Sequence, residues 1–296
     1  MNRSYLFAPG NQPRRVEKAF TLGADAVILD LEDSVAPADK AATRAPVAAA
    51  LAATAGKRGS RGYVRVNAMS TPWCFRDIAD VLGPGVDGLV LPKVESAADL
   101  HAIDWLMANI EREKGLEVGA IDLIPQIETA AGLNRIERIL QARGLKPYSG
   151  RWRVKRVAFG GADYATDLRL LPDEEERELI VARDRLVLAS RNAGVEGPID
   201  SPWFQFRDAE GYAKSVARSR RMGFQGRLLI HPDQIAGANA GYAPSAAEVA
   251  RAERIVAAFR EAEAKGAAAI QVDGQMVDYP IVHQAEQLIA AAKAAG

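Results

Sequence analysis

Short apolar runs alternate with longer amphipathic stretches from the N-terminus to about position 230. The apolar runs fall at 4–8, 26–31, 63–66, 88–91, 121–127, 156–159, 198–200 and 227–230. They are near-continuous instead of alternating, the pattern of strands covered on both faces in a parallel sheet. Between them, apolar residues recur at helical spacing over 14–22, 38–53, 75–82, 96–114, 129–142, 173–192 and 209–222. Eight strand–helix units predict an α/β chain folded as a (β/α)8 TIM barrel over residues 1–240. No Gly-rich nucleotide or P-loop fingerprint follows the first strand, which weakens an open doubly wound alternative.

Residues 241–296 exceed what a barrel needs to close and are expected to form a C-terminal helical extension. Ser245 and Glu248 have the spacing of a capping box, and the helix they open is expected to stop at Gly266. A short apolar run, the turn Asp273-Gly274-Gln275 and a last amphipathic helix follow. Pattern alone leaves three readings of this segment: packing over the barrel, a lid, or an arm onto a neighbouring subunit.

Composition narrows the function classes. The chain has 296 residues, 48% hydrophobic and 26% charged, which is ordinary for a soluble globular protein. Thirty-eight basic residues balance thirty-eight acidic ones, so no global field favours nucleic acid or an anionic membrane. Cys74 is the single cysteine, which excludes an internal disulfide and a Cys-rich zinc site and fits a cytoplasmic protein. No window is long and apolar enough to span a bilayer.

Candidate chemistry lies at the carboxyl ends of the strands, where barrel enzymes place their sites. The stretch 121–132 runs from an apolar strand through Gln126 and Glu128 straight into a helical pattern, and 157–167 repeats this with Asp163 beside two glycines. The other strand ends offer Asp30, Glu32 and Asp33, then Arg65 and Asn67, Lys93 and Glu95, Asp200 and Ser201, and His231 and Asp233. So acidic a rim calls for a cation, and an oxygen-only donor set suits Mg²⁺ and not zinc. Two readings of Glu128 and Asp163 stay open: metal ligands, or caps of the following helices. Arg65, flanked by valines, either clamps a substrate carboxylate or pairs with an acid of the second strand; both can hold at once. Arg14, Arg15 and Lys18 place cations at a helix start, against the macrodipole, which an anion such as phosphate would explain; a solvated surface is the alternative. His231 stands on the strand 7–8 side, where barrels often seat phosphate, though a packing role is also open. Trp73, Trp105, Trp152 and Trp203 read as packing residues.

Several segments occur in order. They are Leu6-Phe7-Ala8-Pro9-Gly10, Asp30-Leu31-Glu32-Asp33-Ser34-Val35 with Lys40, and Val64-Arg65-Val66-Asn67. Pro92-Lys93, Glu128-Thr129-Ala130-Ala131-Gly132, Phe159-Gly160-Gly161-Ala162-Asp163 and Ile230-His231-Pro232 follow. Together they resemble the citrate lyase beta subunit and malyl-CoA lyase family (HpcH/HpaI aldolases) of the phosphoenolpyruvate/pyruvate superfamily, over nearly the whole chain. The run Gly274-Gln275-Met276-Val277-Asp278-Tyr279-Pro280 is similar to the family's GKM[VI]DxP element, with Gln275 where a basic residue is common.

The resemblance implies a homo-oligomer, a trimer or hexamer. It implies Mg²⁺ on Glu128 and Asp163, and Arg65 holding the carboxylate and oxygen of a 2-oxo acid. Arg14 and Lys18 would meet the nucleotide end of coenzyme A, with His231 grouped among the cofactor-binding residues. Asp278, delivered from a neighbouring subunit's tail, would be the acid/base, and Glu32 and Asp33 complete the expected catalytic set. The implied reaction is Mg²⁺-dependent cleavage of a malyl-, citramalyl- or citryl-CoA type 3-hydroxyacyl thioester to glyoxylate, pyruvate or oxaloacetate and an acyl thioester. Alternatives are a malate-synthase-like condensing thioesterase and a citrate lyase beta subunit acting on carrier-protein-bound substrate. The class II aldolase branch uses a His–Asp dyad near strand two, where this chain has no histidine.

Overall fold

The structure, a computed structural model, describes residues 2–142 and 147–295. The chain forms two compact units, residues 2–238 and residues 239–296.

The first unit is a closed barrel of eight parallel strands, each bonded to the next in sequence and the last to the first. The strands are β1 (Ser4–Pro9), β2 (Ala26–Asp30), β3 (Arg61–Arg65), β4 (Gly88–Leu91), β5 (Asp122–Ile127), β6 (Ala158–Phe159), β7 (Ile199–Asp200) and β8 (Gly226–Leu229). Each lies on one of the apolar runs. Tyr5, Ala26, Ile28, Tyr63, Val90, Ile124, Ala158, Ile199 and Leu228 form one buried cluster filling the barrel interior. Side chains alternate across a strand, so a residue two places further on faces the same way. Two residues past Tyr5, Ile28, Tyr63, Ile124, Ala158 and Leu228 stand Phe7, Asp30, Arg65, Gln126, Gly160 and Ile230, and all six line one cavity. The alternation that fills the core thus also delivers the site, one layer above it.

The intervening positions, such as Val27, Leu29, Val64, Leu89, Leu123 and Leu229, are buried on the barrel's outer surface. They pack beneath α1 (Pro13–Ala19), α2 (Lys40–Thr54), α3 (Cys74–Val81), α4 (Ala97–Glu113), α5 (Ala130–Asn134), α6 (Ile136–Gln141), α7 (Gly161–Asp167), α8 (Ile180–Asn192) and α9 (Ala209–Met222). The helix expected over 129–142 is two pieces, interrupted at Arg135, whose ψ of 11° departs from helical values. The one expected from 173 starts at Ile180 instead. Asp173 accepts from the backbone N–H groups of Glu175 and Arg177, making a local turn that competes with a helix. Short α7 and α10 (Gln234–Tyr242) carry little apolar periodicity and did not show in the pattern. Trp105, expected to pack, is 52% exposed, whereas Trp203 is buried.

Asp200 also departs from expectation. Ile199 faces the barrel interior, so its neighbour Asp200 faces the helices and not the rim. There Arg183 Nε donates to it at 2.9 Å, and Arg227 of β8, wholly buried, lies 3.7 Å away. Arg227 also donates to the Ser201 carbonyl at 2.8 Å. Burial works against the Asp200 charge, but the two arginines more than offset it and hold its carboxyl below the usual range. The group is a structural ion cluster between the strands and the helices.

The second unit has its own core of Ala252, Ile255, Val256, Phe259, Val277, Val282 and Ala285. It comprises α11 (Ala246–Glu263), the antiparallel pair β9 (Ile270–Val272) and β10 (Gln275–Val277), and α12 (Tyr279–Ala295). The Ser245–Glu248 capping box is formed. The hairpin turns at Asp273 and Gly274, with φ of 49° and 77°, the left-handed pair that an Asp-Gly turn supplies. Among the described residues no helix is long and apolar enough to cross a membrane.

Candidate active site

Strand register makes the first half of the site. Asp30 ends β2 and stands beside Arg65, which ends β3. Arg65 Nε and Nη2 donate to the two Asp30 oxygens at 2.7 and 2.8 Å, a bidentate fork. Arg65 Nη1 lies 3.1 Å from Glu32 Oε2, and Lys93 Nζ donates to Glu32 Oε1 at 2.7 Å. The guanidinium is seated 4.7 Å from the centroid of the Phe7 ring, which fixes its plane. Asp30 further accepts from the N–H groups of Glu32 and Ser34. Burial opposes its charge, but Arg65 and these donors prevail and its carboxyl sits below the ordinary range. Burial also opposes the charge of Arg65, and its two acid neighbours raise its pKa regardless. Glu32 goes the other way: burial pushes it up and Arg65 and Lys93 only partly pull it back. Lys40 pins this turn, donating to the carbonyls of Leu31 and Glu32 at 3.0 and 2.7 Å.

Glu128 makes the second half. It does not cap α5, because Thr129 does, accepting from the Gly132 N–H. The Glu128 side chain is wholly buried. Gln126 donates to Oε2, and the backbone N–H of Lys93 donates to Oε1 at 2.9 Å. Lys93 presents that N–H from a left-handed backbone conformation, φ 52°, which costs about 1 kcal/mol for a residue with a Cβ. Burial, then Glu32 and Asp163, push the Glu128 carboxyl up to about 8. Asp163 lies in the first turn of α7 and lines the cavity; Gly160, with no side-chain bond, occupies the cap position. Asp167, at the other end of α7, does not line the cavity and accepts from the Ala130 N–H at 2.7 Å.

The donor set fits a hard divalent cation. Among the described residues no group of three or more His, Cys, Asp or Glu side chains is placed to hold a metal. Mg²⁺ does not need one: it takes one or two carboxylates and leaves its other positions to water and substrate. Glu32 and Asp163 raise the cost of ionising Glu128, which a cation relieves. Two buried oxygens here, Glu32 Oε2 and Gln126 Oε1, accept no hydrogen bond within the protein. Gly160 leaves room for this arrangement, since a Cβ there would collide with the Glu128 carboxylate and meet Gln126 Nε2 at 3.0 Å. Its backbone φ of −97° suits any residue, so only space is at stake. Gly160→Ala should therefore weaken Mg²⁺ binding at least about tenfold, as displacing a metal-binding carboxylate from its supporting contacts does, while the fold persists; calorimetric titration with Mg²⁺ and circular dichroism check both halves.

The cavity measures about 790 Å³, within the range of small-molecule sites. Asp30, Asp33, Arg65, Gln126, Asp163, Lys18 and His231 line it. Of the α1 cations, Arg15 and Lys18 face it, and Arg14 is exposed without lining it. His231 stacks on Phe206, centroids 5.0 Å apart and planes at 15°, and its Nδ1 accepts from the Asp233 N–H. Phe204 also lines the cavity, although half exposed, in the aromatic run 203–206 of the seventh strand–helix loop. Asp278 belongs to the second unit, where its carbonyl accepts from the Val282 N–H at the start of α12 and its neighbour Val277 anchors the core.

Known proteins resemble the chain over nearly its whole length. The chain is 35% identical over 294 residues to the citrate lyase subunit beta of Leuconostoc mesenteroides subsp. cremoris, covering 99% of this chain and 94% of the relative. It is 34% identical over 310 residues to an L-malyl-CoA/beta-methylmalyl-CoA lyase of Cereibacter sphaeroides, covering 97% and 93%. A crystal structure of CitE from Mycobacterium tuberculosis in complex with magnesium, acetoacetate and coenzyme A superposes with a TM-score of 0.79 at 28% identity, covering 99% of this chain and 98% of that one. The family model described as HpcH/HpaI aldolase/citrate lyase matches residues 3–232, so the chain belongs to that family.

Proposed function

We propose that the protein is a Mg²⁺-dependent carbon–carbon lyase that cleaves a 3-hydroxyacyl-CoA thioester to a 2-oxo acid and an acyl thioester. The observation that carries this is a buried carboxyl, Glu128, whose charge Asp163 opposes, together with an arginine held by Asp30 in the cavity that Asp163 also lines. Glu128 and Asp163 would hold Mg²⁺, which when bound supplies Lewis-acid polarisation of substrate oxygen.

The chain's own residues do the rest. Asp30 uses the Nε/Nη2 edge of Arg65, and Glu32 lies 3.1 Å from Nη1 without accepting a hydrogen bond, which leaves one hydrogen free on Nη2 and at least one on Nη1. Those two hydrogens form a preorganised fork for the carboxylate and developing oxyanion of the oxo acid. Lys93 and Lys40 fix Glu32, and Glu32 with Asp30 fixes Arg65. The substrate's hydroxyl gives up its proton as its carbon becomes the oxo carbonyl; the electron pair of the broken C–C bond passes into the thioester carbonyl as an enolate, which then takes a proton back at carbon. Asp278 is assigned that proton transfer, from the C-terminal unit of a neighbouring protomer in a homotrimer or a dimer of trimers. Arg15 and Lys18, with His231 beside Phe206, would meet the coenzyme A phosphates at the cavity mouth, in a cytoplasmic setting.

The test is release of any 2-oxo acid from a mixture of malyl-, citramalyl- and citryl-CoA. Release with Mg²⁺ and none in excess EDTA is expected; equal release in EDTA contradicts the reading. A second reading, condensation followed by thioester hydrolysis, uses the same enolate in reverse and is separated by following free thiol.

A further inference from the structure

Resting on the lyase reading, we infer that Gln234 is a positioning residue for the coenzyme A end of the substrate, because its side chain ties together the two loops that build one wall of the cavity mouth. Gln234 is buried and does not line the cavity, so it acts through its neighbours.

One of the loops follows β7 and carries Trp203, Phe204, Gln205 and Phe206; the other follows β8 and carries Ile230 and His231. Neither continues its strand's ladder, so their backbone groups find partners elsewhere. Gln234 supplies partners to both. Its Oε1 accepts from the backbone N–H groups of Ile230 and His231 at 3.0 and 3.2 Å, and its Nε2 donates to the Trp203 carbonyl at 2.7 Å. These partners dictate how the amide points: turned over, Nε2 would face two N–H donors and Oε1 a carbonyl. Gln234 is anchored in turn. It opens α10, and Tyr212 Oη donates to its carbonyl at 2.9 Å.

What this bridge sets is the stack of Phe206 on His231, centroids 5.0 Å apart. Phe206 is 46% exposed and His231 is exposed too, so little core packing keeps the rings in register. Trp203 is buried, and its Nε1 donates to the Gln205 carbonyl at 3.1 Å, which carries the fixed point at 203 on toward Phe206. On the other loop the Asp233 N–H donates to His231 Nδ1 at 3.3 Å, so the neutral ring keeps its hydrogen on Nε2 as a donor. His231 lines the cavity together with Arg15 and Lys18. Separating the two loops would shift this ring against those cations, and a displacement of about 1 Å is enough to spoil a binding geometry.

The test is calorimetric titration of the full-length Mg²⁺-loaded protein with free coenzyme A and, separately, with pyruvate. Gln234→Glu keeps an acceptor for the Ile230 and His231 N–H groups but sets an oxygen against the Trp203 carbonyl, which releases the β7 loop alone. It should weaken coenzyme A binding at least about tenfold, the scale of one lost buried hydrogen bond, and leave pyruvate binding as it was. Gln234→Asn, uncharged and one methylene too short to span both loops, should give the same selective loss. Phe206→Ala should also weaken coenzyme A, and adding Gln234→Glu to it should cost nothing more, because both act through one wall; a merely structural glutamine would give additive losses. Unchanged coenzyme A affinity in both Gln234 variants, an equal loss of pyruvate binding, or additive losses in the double variant overturns this inference and leaves the lyase reading standing. Failure of the unaltered protein to bind coenzyme A removes the coenzyme A part of that reading, and this inference with it.

Discussion

Replacing Glu128 with Gln should abolish Mg²⁺-dependent release of the oxo acid, by at least about a thousandfold, the scale expected when several kcal/mol of metal-derived stabilisation are lost. The change keeps the side chain's shape. Gln126 and the Lys93 N–H, which now donate to the carboxylate, would still have an acceptor at one position, so the fold should survive. The same substitution carries a pH signature. In the metal-free protein burial, then Glu32 and Asp163, raise the Glu128 carboxyl to about 8, so near neutrality Mg²⁺ must displace a proton. Apparent affinity for Mg²⁺ should rise from pH 6 toward pH 8 in the wild type and lose that slope in Glu128→Gln. The linkage to stability has the opposite sign. A carboxyl raised above its unfolded value binds more protons in the folded state, so the metal-free protein should lose stability as pH climbs from about 4.5 to 8. Thermal melts across that range, with Mg²⁺ and with EDTA, measure both; a wild-type Mg²⁺ affinity flat in pH would mean that Glu128 is not the ligand.

The barrel could be read in advance because strands covered on both faces are apolar throughout, and eight such runs at regular spacing leave few architectures. The acids and Arg65 could be read because charged residues inside apolar strands need a reason. What was hidden is telling. Asp200 looked like Glu128, an acid ending an apolar run, yet it points the other way. A two-residue strand offers no alternation to assign its faces; only the inward Ile199 settles it. The geometry that aims Glu128 comes from Lys93, 35 positions away, through a backbone N–H that no pattern of side chains reveals. Gly160 matters by what it lacks, and that need appears only once Glu128 lies against it. Helix α7, which carries Asp163, is seven residues long and shows no apolar stripe. Periodicity thus reports burial well and reports aim only where a strand is long enough to alternate.

Asp278→Asn should leave Mg²⁺ and oxo-acid binding unchanged and lower turnover at least about a hundredfold, the low end of what proton transfer contributes. The side chain is isosteric, and Asp278 is supported by the second unit's own core through Val277 and Val282. The variant should therefore melt at the wild-type temperature, which separates lost chemistry from lost structure. Because the assignment places this carboxyl in a neighbouring protomer's site, it makes a second demand. Asp278→Asn carries an intact Glu128, and Glu128→Gln carries an intact Asp278. Mixing the two inactive proteins under conditions that exchange subunits should restore part of the activity, as sites form with both groups native. In a trimer assembled from equal amounts, each site draws its barrel and its tail from different chains, so about a quarter of the sites should be whole. Activity recovered toward that fraction supports delivery in trans. No recovery after verified exchange would place Asp278 in its own chain's site, and an unchanged rate in the single variant would remove it from the mechanism.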